Sequence, residues 1–190
     1  MGEVKEFIAR YKRFIYREWW SAGNVTYLNI AKSGCTSIKA YIEEKEGYIV
    51  HGKSPFPAPW RFTVVRNPYQ RITSCYVNKI IDGKGWLYRY YPFVNKNMSF
   101  EQFVKAICRL PWWLQERHFR CQYNIVYKGF KCQVDRVYQL ENLKISPYLC
   151  DMTQHMNKSN TDYDQMLTPE IKEMIYKRYE KDFRYFGYKK

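Results

Sequence analysis

The segment that most constrains the fold is a short apolar run that leads through small polar residues into a helical pattern. The run VTYLNI at 25–30 is rich in β-branched and aromatic residues, which is typical of a buried strand. The loop at 31–37 reads AKSGCTS, and Ile38, Tyr41 and Ile42 then repeat at the spacing of one helix face. Backbone N–H groups at the start of a helix have no partner within the helix and attract anions. The segment therefore predicts an anion-binding loop.

A second unit with the same order follows in the chain. The run FTVV at 62–65 is typical of a strand that is buried on both faces of a parallel sheet. Arg66 ends the run, Asn67 can cap a helix, and Pro68 suits the first helical position, where its missing N–H costs nothing. The pattern predicts a helix over 69–80.

The rest of the chain continues the alternation of strands and helices. Ser99 and Gln102 form a capping box before an apolar helical face. Further predicted elements are a helix over 112–122, a strand over 134–140 and a helix that starts at Thr168–Pro169. The alternation predicts an α/β fold with a central parallel sheet flanked by helices.

The chain has 190 residues and no internal repeat or linker, which predicts a single domain over 1–190. Residues 1–24 should form a basic amphipathic helix, with apolar side chains at helical spacing over 4–20, and residues 25–188 the core. Apolar residues make up 46% of the chain, which excludes a disordered tail.

Charge and cysteine usage narrow the function classes. Lys and Arg number 32 against 18 acids, so the net charge of +14 predicts an anionic partner. The sequence has neither a membrane-spanning apolar run nor a signal-peptide core, so with Met1 as the natural start it predicts a cytoplasmic protein. Six cysteines are spread out without a CxxC pair, which predicts reduced thiols and argues against a zinc site.

The residues of the 31–37 loop are suited to one tetrahedral anion. Thr36 and Ser37 supply hydroxyls, Gly34 allows close approach, and Lys32 supplies a cation. In this loop the lysine precedes the glycine, so the nucleotide-triphosphate pattern, which ends in Gly-Lys-Ser/Thr, is not matched. Arg66 should reach the same crevice, because ligands bind at the carboxyl ends of strands in an open α/β sheet, and its fork suits a phosphate.

These motifs together resemble the PAPS-dependent sulfotransferases, which use 3′-phosphoadenosine 5′-phosphosulfate (PAPS), and in particular the carbohydrate branch with the heparan 2-O and chondroitin-type enzymes. The resemblance covers about residues 25–188. The segments that carry it are AKSGCTS at 31–37, VVRNPYQRITSCY at 64–76, ERHFRCQ at 116–122, YQLENL at 138–143, NKS at 157–159 and YEKDFRYFGY at 179–188.

The resemblance implies a P-loop-like sulfotransferase fold, PAPS as donor, the desulfated PAP as product, and no required metal. It implies that Lys32 neutralises the bridging oxygen of the donor. The implied donor contacts are Lys32, Ser33, Gly34, Cys35, Thr36 and Ser37 at the 5′-phosphosulfate, Arg66 and Ser74 at the 3′-phosphate, and Lys158 and Ser159 as a second contact there. The implied acceptor is a hydroxyl, expected on a saccharide that can be acidic.

The acceptor hydroxyl needs a general base, for which three residues compete. His51 follows an apolar run that predicts a central strand, it lies between the two cofactor motifs, and the resemblance to the 2-O branch points to it. His118 and Glu116 are the alternatives, His118 also as a residue that binds the acceptor.

Two other function classes stay as alternatives. A P-loop-like kinase would need an acidic magnesium ligand after a buried strand, and no such cluster is found. A basic, aromatic nucleic-acid-binding module without catalysis would account for the charge, but no such module signature is present, so no nucleic acid is expected as partner.

Overall fold

The computed structural model describes residues 17–53, 55, 57–83, 91, 94–155 and 164–190. Within these ranges five strands form the main sheet, in the order β3-β1-β2-β4-β7. The strands are β1 (Trp19–Ala22), β2 (Val25–Leu28), β3 (Val50–Gly52), β4 (Trp60–Val65) and β7 (Arg136–Gln139), and β5 (Tyr127–Lys128) and β6 (Lys131–Cys132) form a separate hairpin. The sheet is mixed, since β2, β4 and β7 are parallel whereas β1 is antiparallel to β2 and β3.

Helices cover both faces of the sheet. The helical segments are α1 (Cys35–Glu46), α2 (Pro68–Tyr76) with a π-helical continuation (Val77–Ile81), α3 (Phe100–Arg109), α4 (Tyr123–Val126), α5 (Pro169–Phe186) and 3-10 turns at Trp112–Leu114, Leu140–Ile145, Cys150–His155 and Asp164–Met166. Tyr27 and Leu28 are both fully buried, yet they belong to core clusters on opposite faces of β2. The arrangement confirms the predicted α/β fold.

The predicted helix starts are confirmed by their caps. Asn67 accepts a hydrogen bond from the Tyr69 N–H at 2.9 Å, and Pro68 is the first residue of α2. Ser99 and Gln102 form the predicted capping box, with bonds of 2.8 and 3.2 Å. These signals are local, so neighbouring residues alone suffice to specify them.

The structure corrects four expectations. The helix expected over 4–20 is not continuous to its end: residues 19–22 form strand β1, because their backbone pairs with β2 and β3; residues 4–16 lie outside the described ranges. The sheet expected to be parallel is mixed. The apolar run before His51 is expected, from the sequence, to form a central strand. The strand found there is β3, which is exposed and lies at the edge of the described sheet. Residues 112–122 do not form one helix, since the 3-10 turn at Trp112–Leu114 ends before an irregular stretch.

The carboxyl ends of the three parallel strands meet at one edge of the sheet. After β4, the Arg66 Nη1 donates to the carbonyl oxygen of Lys32, which follows β2, at 3.3 Å. The Asn67 N–H donates to Glu141, which follows β7, at 2.8 Å. Parallel strands bring the residues that follow them to a shared crevice. The fold therefore places the two predicted anion-binding motifs side by side.

Candidate active site

The cradle loop (residues 31–37) has a backbone conformation that exposes the start of α1. Lys32 has φ of 68° and Gly34 of 75°, so the chain turns sharply before the helix begins at Cys35. The first N–H groups of a helix have no partner within it, and the helix dipole adds a partial positive charge there. The hydroxyl of Thr36 is exposed beside them. This geometry suits a tetrahedral anion.

Close packing beneath the cradle loop leaves little room for an added side chain. A Cβ on Gly34 would lie 2.8 Å from Cδ1 of Leu140, the residue that follows β7. Ser33 is fully buried, and its hydroxyl lies 3.3 Å from the amide oxygen of Gln122. The loop therefore presents backbone rather than bulky side chains to a ligand.

Cationic side chains surround the cradle loop. Burial lowers the pKa of Lys32, and the positive charges of Lys79 and Arg66 act in the same direction. Lys79 is mostly buried and lies in the π-helical continuation of α2, a type of turn that is frequent at functional sites. These positive charges repel one another, and a bound anion would offset the repulsion.

A buried carboxylate and an imidazole form the second part of the site. His118 Nδ1 lies 2.8 and 2.7 Å from the two carboxylate oxygens of Glu116, and the His118 backbone N–H donates to Oε2 at 2.8 Å. Because an ionised carboxylate only accepts hydrogen bonds, Nδ1 carries the proton and Nε2 is the accepting nitrogen of the neutral ring. The pair has the geometry of an oriented general base.

Burial and charge act on both members of this pair. Burial alone would raise the pKa of Glu116, but contacts with His118 and Arg117 reverse the effect and hold that pKa below its usual range. Burial lowers the pKa of His118 from 6.5, and the positive charges of Lys79 and Arg117 add to it, although Glu116 opposes them. The result is an ionised carboxylate beside a neutral imidazole near neutral pH.

The pair lies close to the cradle loop. The charge of Lys79 acts on both Lys32 and His118. Cys75, one turn earlier, is fully buried, its pKa is raised by burial to about 12, and it interacts with both Glu116 and Lys32. Arg71, on the same helix α2, links the two parts directly, because it donates to the carbonyl oxygens of Ala31 and of Arg117, the residue between Glu116 and His118.

Two side chains from elsewhere in the chain hold the irregular segment that carries the pair, called here the clamped segment (residues 115–126). Arg71 donates to the carbonyl oxygens of Ala31, Arg117 and Arg120 at 2.7–2.9 Å. Asp182 accepts from the Gln122 and Tyr123 N–H groups at 2.9 and 2.7 Å and from the thiol of Cys121 at 2.9 Å. These side chains supply hydrogen-bond partners that helical backbone bonds would otherwise provide. The helix expected over 112–122 therefore does not form.

Gln122 joins the clamped segment to both motif loops. Its Oε1 accepts from the Arg66 N–H at 2.9 Å, its Nε2 donates to the Arg66 carbonyl oxygen at 2.8 Å, and Oε1 also faces the Ser33 hydroxyl. One side chain therefore sets the distance between the two predicted anion-binding loops.

His51 lies on β3. Its side chain is 49% exposed, against 12% for His118. His51 Nε2 lies 3.4 Å from Glu18, which pairs with Arg117 at 3.0 Å, and Arg117 Nε lies 3.7 Å from Glu116. His51 is therefore linked to the His118 pair through two intervening side chains.

The structure brings together most of the sequence-predicted site residues. Arg66 contacts the cradle loop, Arg71 links that loop to the segment of the Glu116–His118 pair, and Ser74 is half-buried on α2. Lys158 and Ser159 lie outside the described residues. All six cysteines are free thiols. In the described part of the chain, no cluster of His, Cys, Asp and Glu side chains could hold a metal ion, and no helix is long and apolar enough to cross a membrane.

Sequence reasoning missed the residues that assemble the site. Gln122, Asp182, Lys79 and the contacts of Arg71 were not predicted as site components. Their partners are distant in the chain: Gln122 is separated by 60 residues from Asp182 and by 56 residues from Arg66. Lys79 lies in the π-helical turn at Val77–Ile81, which no residue pattern in the sequence marks.

The fold is α/β, and the candidate site combines a loop at a helix start with an imidazole that a carboxylate orients. The profile of the sulfotransferase family matches residues 22–189, and the chain belongs to that family. No curated protein and no solved structure matches the chain significantly.

Proposed function

We propose that the protein transfers the sulfuryl group of PAPS to a hydroxyl of a saccharide acceptor. The family match supports sulfuryl transfer in general. The observation that supports the particular reaction most is that Arg71 donates to the carbonyl oxygens of both Ala31 and Arg117. This links the cradle loop, which carries Lys32, to the segment that carries an imidazole whose Nδ1 is held by a carboxylate. In-line transfer needs a held donor, stabilised charge and a base for the acceptor proton, and this crevice contains residues for each.

The residues of the crevice fit the donor. The N–H groups at the start of α1, with Thr36, would hold the 5′-phosphosulfate. Arg66 and Ser74 would hold the 3′-phosphate, and an arginine at a strand end suits it through paired hydrogen bonds. When bound, PAPS supplies an activated sulfuryl group. Lys32 would stabilise the charge that develops on the phosphate side of the breaking bond.

His118 is the base that we propose for the acceptor proton. The Glu116 carboxylate fixes the ring so that Nε2 accepts the proton, and it stabilises the imidazolium that results. Because the pKa of His118 is lowered, its ring is neutral and ready to accept at neutral pH. His51 stays a weaker candidate, since its nearest carboxylate, Glu18, is 3.4 Å away and the ring is half exposed.

The proposed acceptor is a saccharide, and an acidic one. The chain carries 32 basic against 18 acidic residues, more than a small donor alone requires. Sugars offer the hydroxyl groups that the reaction consumes.

Ligand binding tests the donor assignment. PAP should raise the unfolding temperature by linkage, whereas ATP with magnesium should not. If PAP causes no shift and shows no heat of binding by calorimetry, the proposed donor is wrong.

Alanine variants at three positions test the base. His118→Ala should reduce kcat by roughly 10²- to 10⁴-fold, the usual contribution of a general base, and leave the Kd for PAP unchanged. His51→Ala and Glu116→Ala are measured beside it. If His51→Ala loses as much kcat and His118→Ala keeps most of it, His51 is the base and our assignment is wrong.

The pH profile gives a second test of the base. Catalysis needs the neutral imidazole, so kcat should fall as pH decreases through the lowered pKa of His118, and this acid limb should lie below pH 6.5. Glu116 raises the pKa of His118, so Glu116→Gln should move the acid limb to still lower pH while slowing the reaction. An acid limb that does not move in Glu116→Gln would contradict the pairing.

A further inference from the structure

A second cavity lies beside the clamped segment and contains none of the residues assigned to the reaction. Its volume is about 630 Å³, in the range of pockets that bind a molecule of drug size. We call it the aromatic groove. Its lining side chains include Trp112, Tyr123, Tyr127, Phe130, Lys177 and Lys181. Gln115 and Cys121 also line it, so the groove adjoins the segment that carries Glu116 and His118.

Two aromatic rings of the groove are exposed to an unusual degree. Phe130 lies in the turn of the β5–β6 hairpin and is 95% exposed, and Trp112 is 58% exposed. Neither ring contributes much to the hydrophobic core, so a role in stabilising the fold does not explain why aromatic residues stand at these two positions. Large exposed aromatic side chains that line one cavity mark a binding surface.

The other rings of the groove are already packed against the protein. Tyr123 and Tyr127 stack on each other with centroids 4.7 Å apart, and Lys181 Nζ lies 4.9 Å from the Tyr123 centroid. A strand of bases would need a series of free ring faces. The groove instead offers two free rings and a wall of hydroxyl-bearing side chains, which suits the apolar C–H face and polar edge of a sugar ring.

The rim of the groove is positively charged. Lys177 and Lys181 line it on α5, and Lys128 and Lys131 flank Phe130 in the hairpin, whereas Glu180 is the carboxylate among the lining residues. Cations around an apolar platform favour a ligand that carries negative charge beside an apolar face.

We propose that the aromatic groove binds an acidic saccharide chain at a site outside the reaction centre. The choice of saccharide rests on the proposed function, since the acceptor of the reaction would be such a chain. Phe130 and Trp112 contact the sugar rings, and Lys177 and Lys181 contact the acidic substituents. The groove would thereby retain a chain whose hydroxyl reacts elsewhere.

Calorimetry with a size-defined sulfated hexasaccharide prepared from heparin tests the proposal in 0.15 M salt. Phe130→Ala, Trp112→Ala and Lys181→Ala should each raise the Kd by about five- to tenfold, as for a central contact of an interface. Phe130→Ala keeps the charge of the protein, so a loss in that variant isolates the aromatic contact. The fold should survive this change, because the ring is exposed.

Matched variants and probes separate the groove from general charge attraction. Tyr48→Ala removes an exposed ring elsewhere (85% exposed), and Lys105→Ala removes one exposed charge on α3; both should change the Kd less than twofold. Neutral maltohexaose should bind more weakly. Equal Kd values for the wild type and Phe130→Ala, no hexasaccharide binding at all, or tighter binding of hexathymidylate with the same loss in Phe130→Ala would each overturn the proposal.

Binding of PAP to the same variants keeps the two proposals apart. PAP affinity should be unchanged in all three groove variants, because no groove residue belongs to the cradle loop. A protein that binds the hexasaccharide through Phe130 but does not bind PAP would refute the proposed donor and leave the groove standing.

Discussion

The cradle loop and the clamped segment contribute to one site but are held in different ways. The cradle loop depends on backbone conformation, with positive φ at Lys32 and Gly34 directly before a helix. The clamped segment depends on side chains from elsewhere, namely two carbonyl contacts of Arg71 and four acceptor contacts of Asp182. The backbone conformation of a loop is specified by neighbouring residues, whereas the orientation of a side-chain pair depends on contacts with residues that are distant in the chain.

This difference predicts how substitutions in each part should affect binding, rate and stability. Changes in the cradle loop should affect the ligand and the rate more than the fold. Changes in the frame of the clamped segment should affect the free energy of unfolding first and the rate as a consequence.

Among substitutions in the cradle loop and the frame of the clamped segment, Lys32→Ala should have the largest effect on the rate. The variant loses the cation at the cradle loop, and kcat should fall by about a hundredfold or more, as for removal of one donor that stabilises a transition state. The unfolding temperature should stay within error of the wild type. Steady-state kinetics beside Lys105→Ala, an exposed lysine on α3, provides the control, and near-normal turnover of Lys32→Ala would refute the assigned role.

Asp182→Ala should have the largest effect on the fold. It leaves two buried backbone N–H groups and the Cys121 thiol without their acceptor, so the free energy of unfolding should fall by about 2–3 kcal/mol in urea titrations. Asp135→Ala removes an exposed carboxylate that pairs with Arg61, and should cost less than about 1 kcal/mol. Equal losses of unfolding free energy in the two variants would show that the buried hydrogen bonds of Asp182 stabilise the fold no more than an exposed ion pair does.

Gly34→Ala tests whether the cradle loop depends on its backbone. An alanine at this positive φ costs about 1–2 kcal/mol, and its Cβ would also press on Leu140. Gly129→Ala has a similar φ of 61° but open space around it, so it measures the backbone cost alone. Only Gly34→Ala should also weaken PAP binding in calorimetry; unchanged PAP affinity would place the anion elsewhere.

Arg66→Ala and Ser74→Ala should have the smallest effect, roughly a tenfold weaker binding of PAP each, since a hydrogen bond to a charged group contributes at least about 1.5 kcal/mol, which is about tenfold in Kd. Adenosine 5′-phosphosulfate lacks the 3′-phosphate and is the control ligand. If the variants weaken the two ligands equally, these residues do not bind the 3′-phosphate.

Much of the fold could be predicted because its signals are local. The run at 25–30, the caps at Asn67 and Ser99, and the Pro169 start of α5 each depend on neighbouring residues, and the structure has an element at each. The failures fall where a distant partner decides. Trp19 and Trp20 fit a helical pattern, but β2 and β3 pair with them as strand β1.

The sequence by itself determined the α/β class, the strand–loop–helix units and the residue types that can hold an anion. Only the tertiary structure decided which histidine has a carboxylate at hydrogen-bond distance, because Glu116 and His118 acquire their orientation from Arg71 and Asp182. It also decided that Gln122 spans the two motif loops and that Phe130 and Trp112 line one groove. Spacing along a chain fixes local backbone geometry, whereas burial, charge and side-chain direction depend on what packs against each residue from far away in the chain.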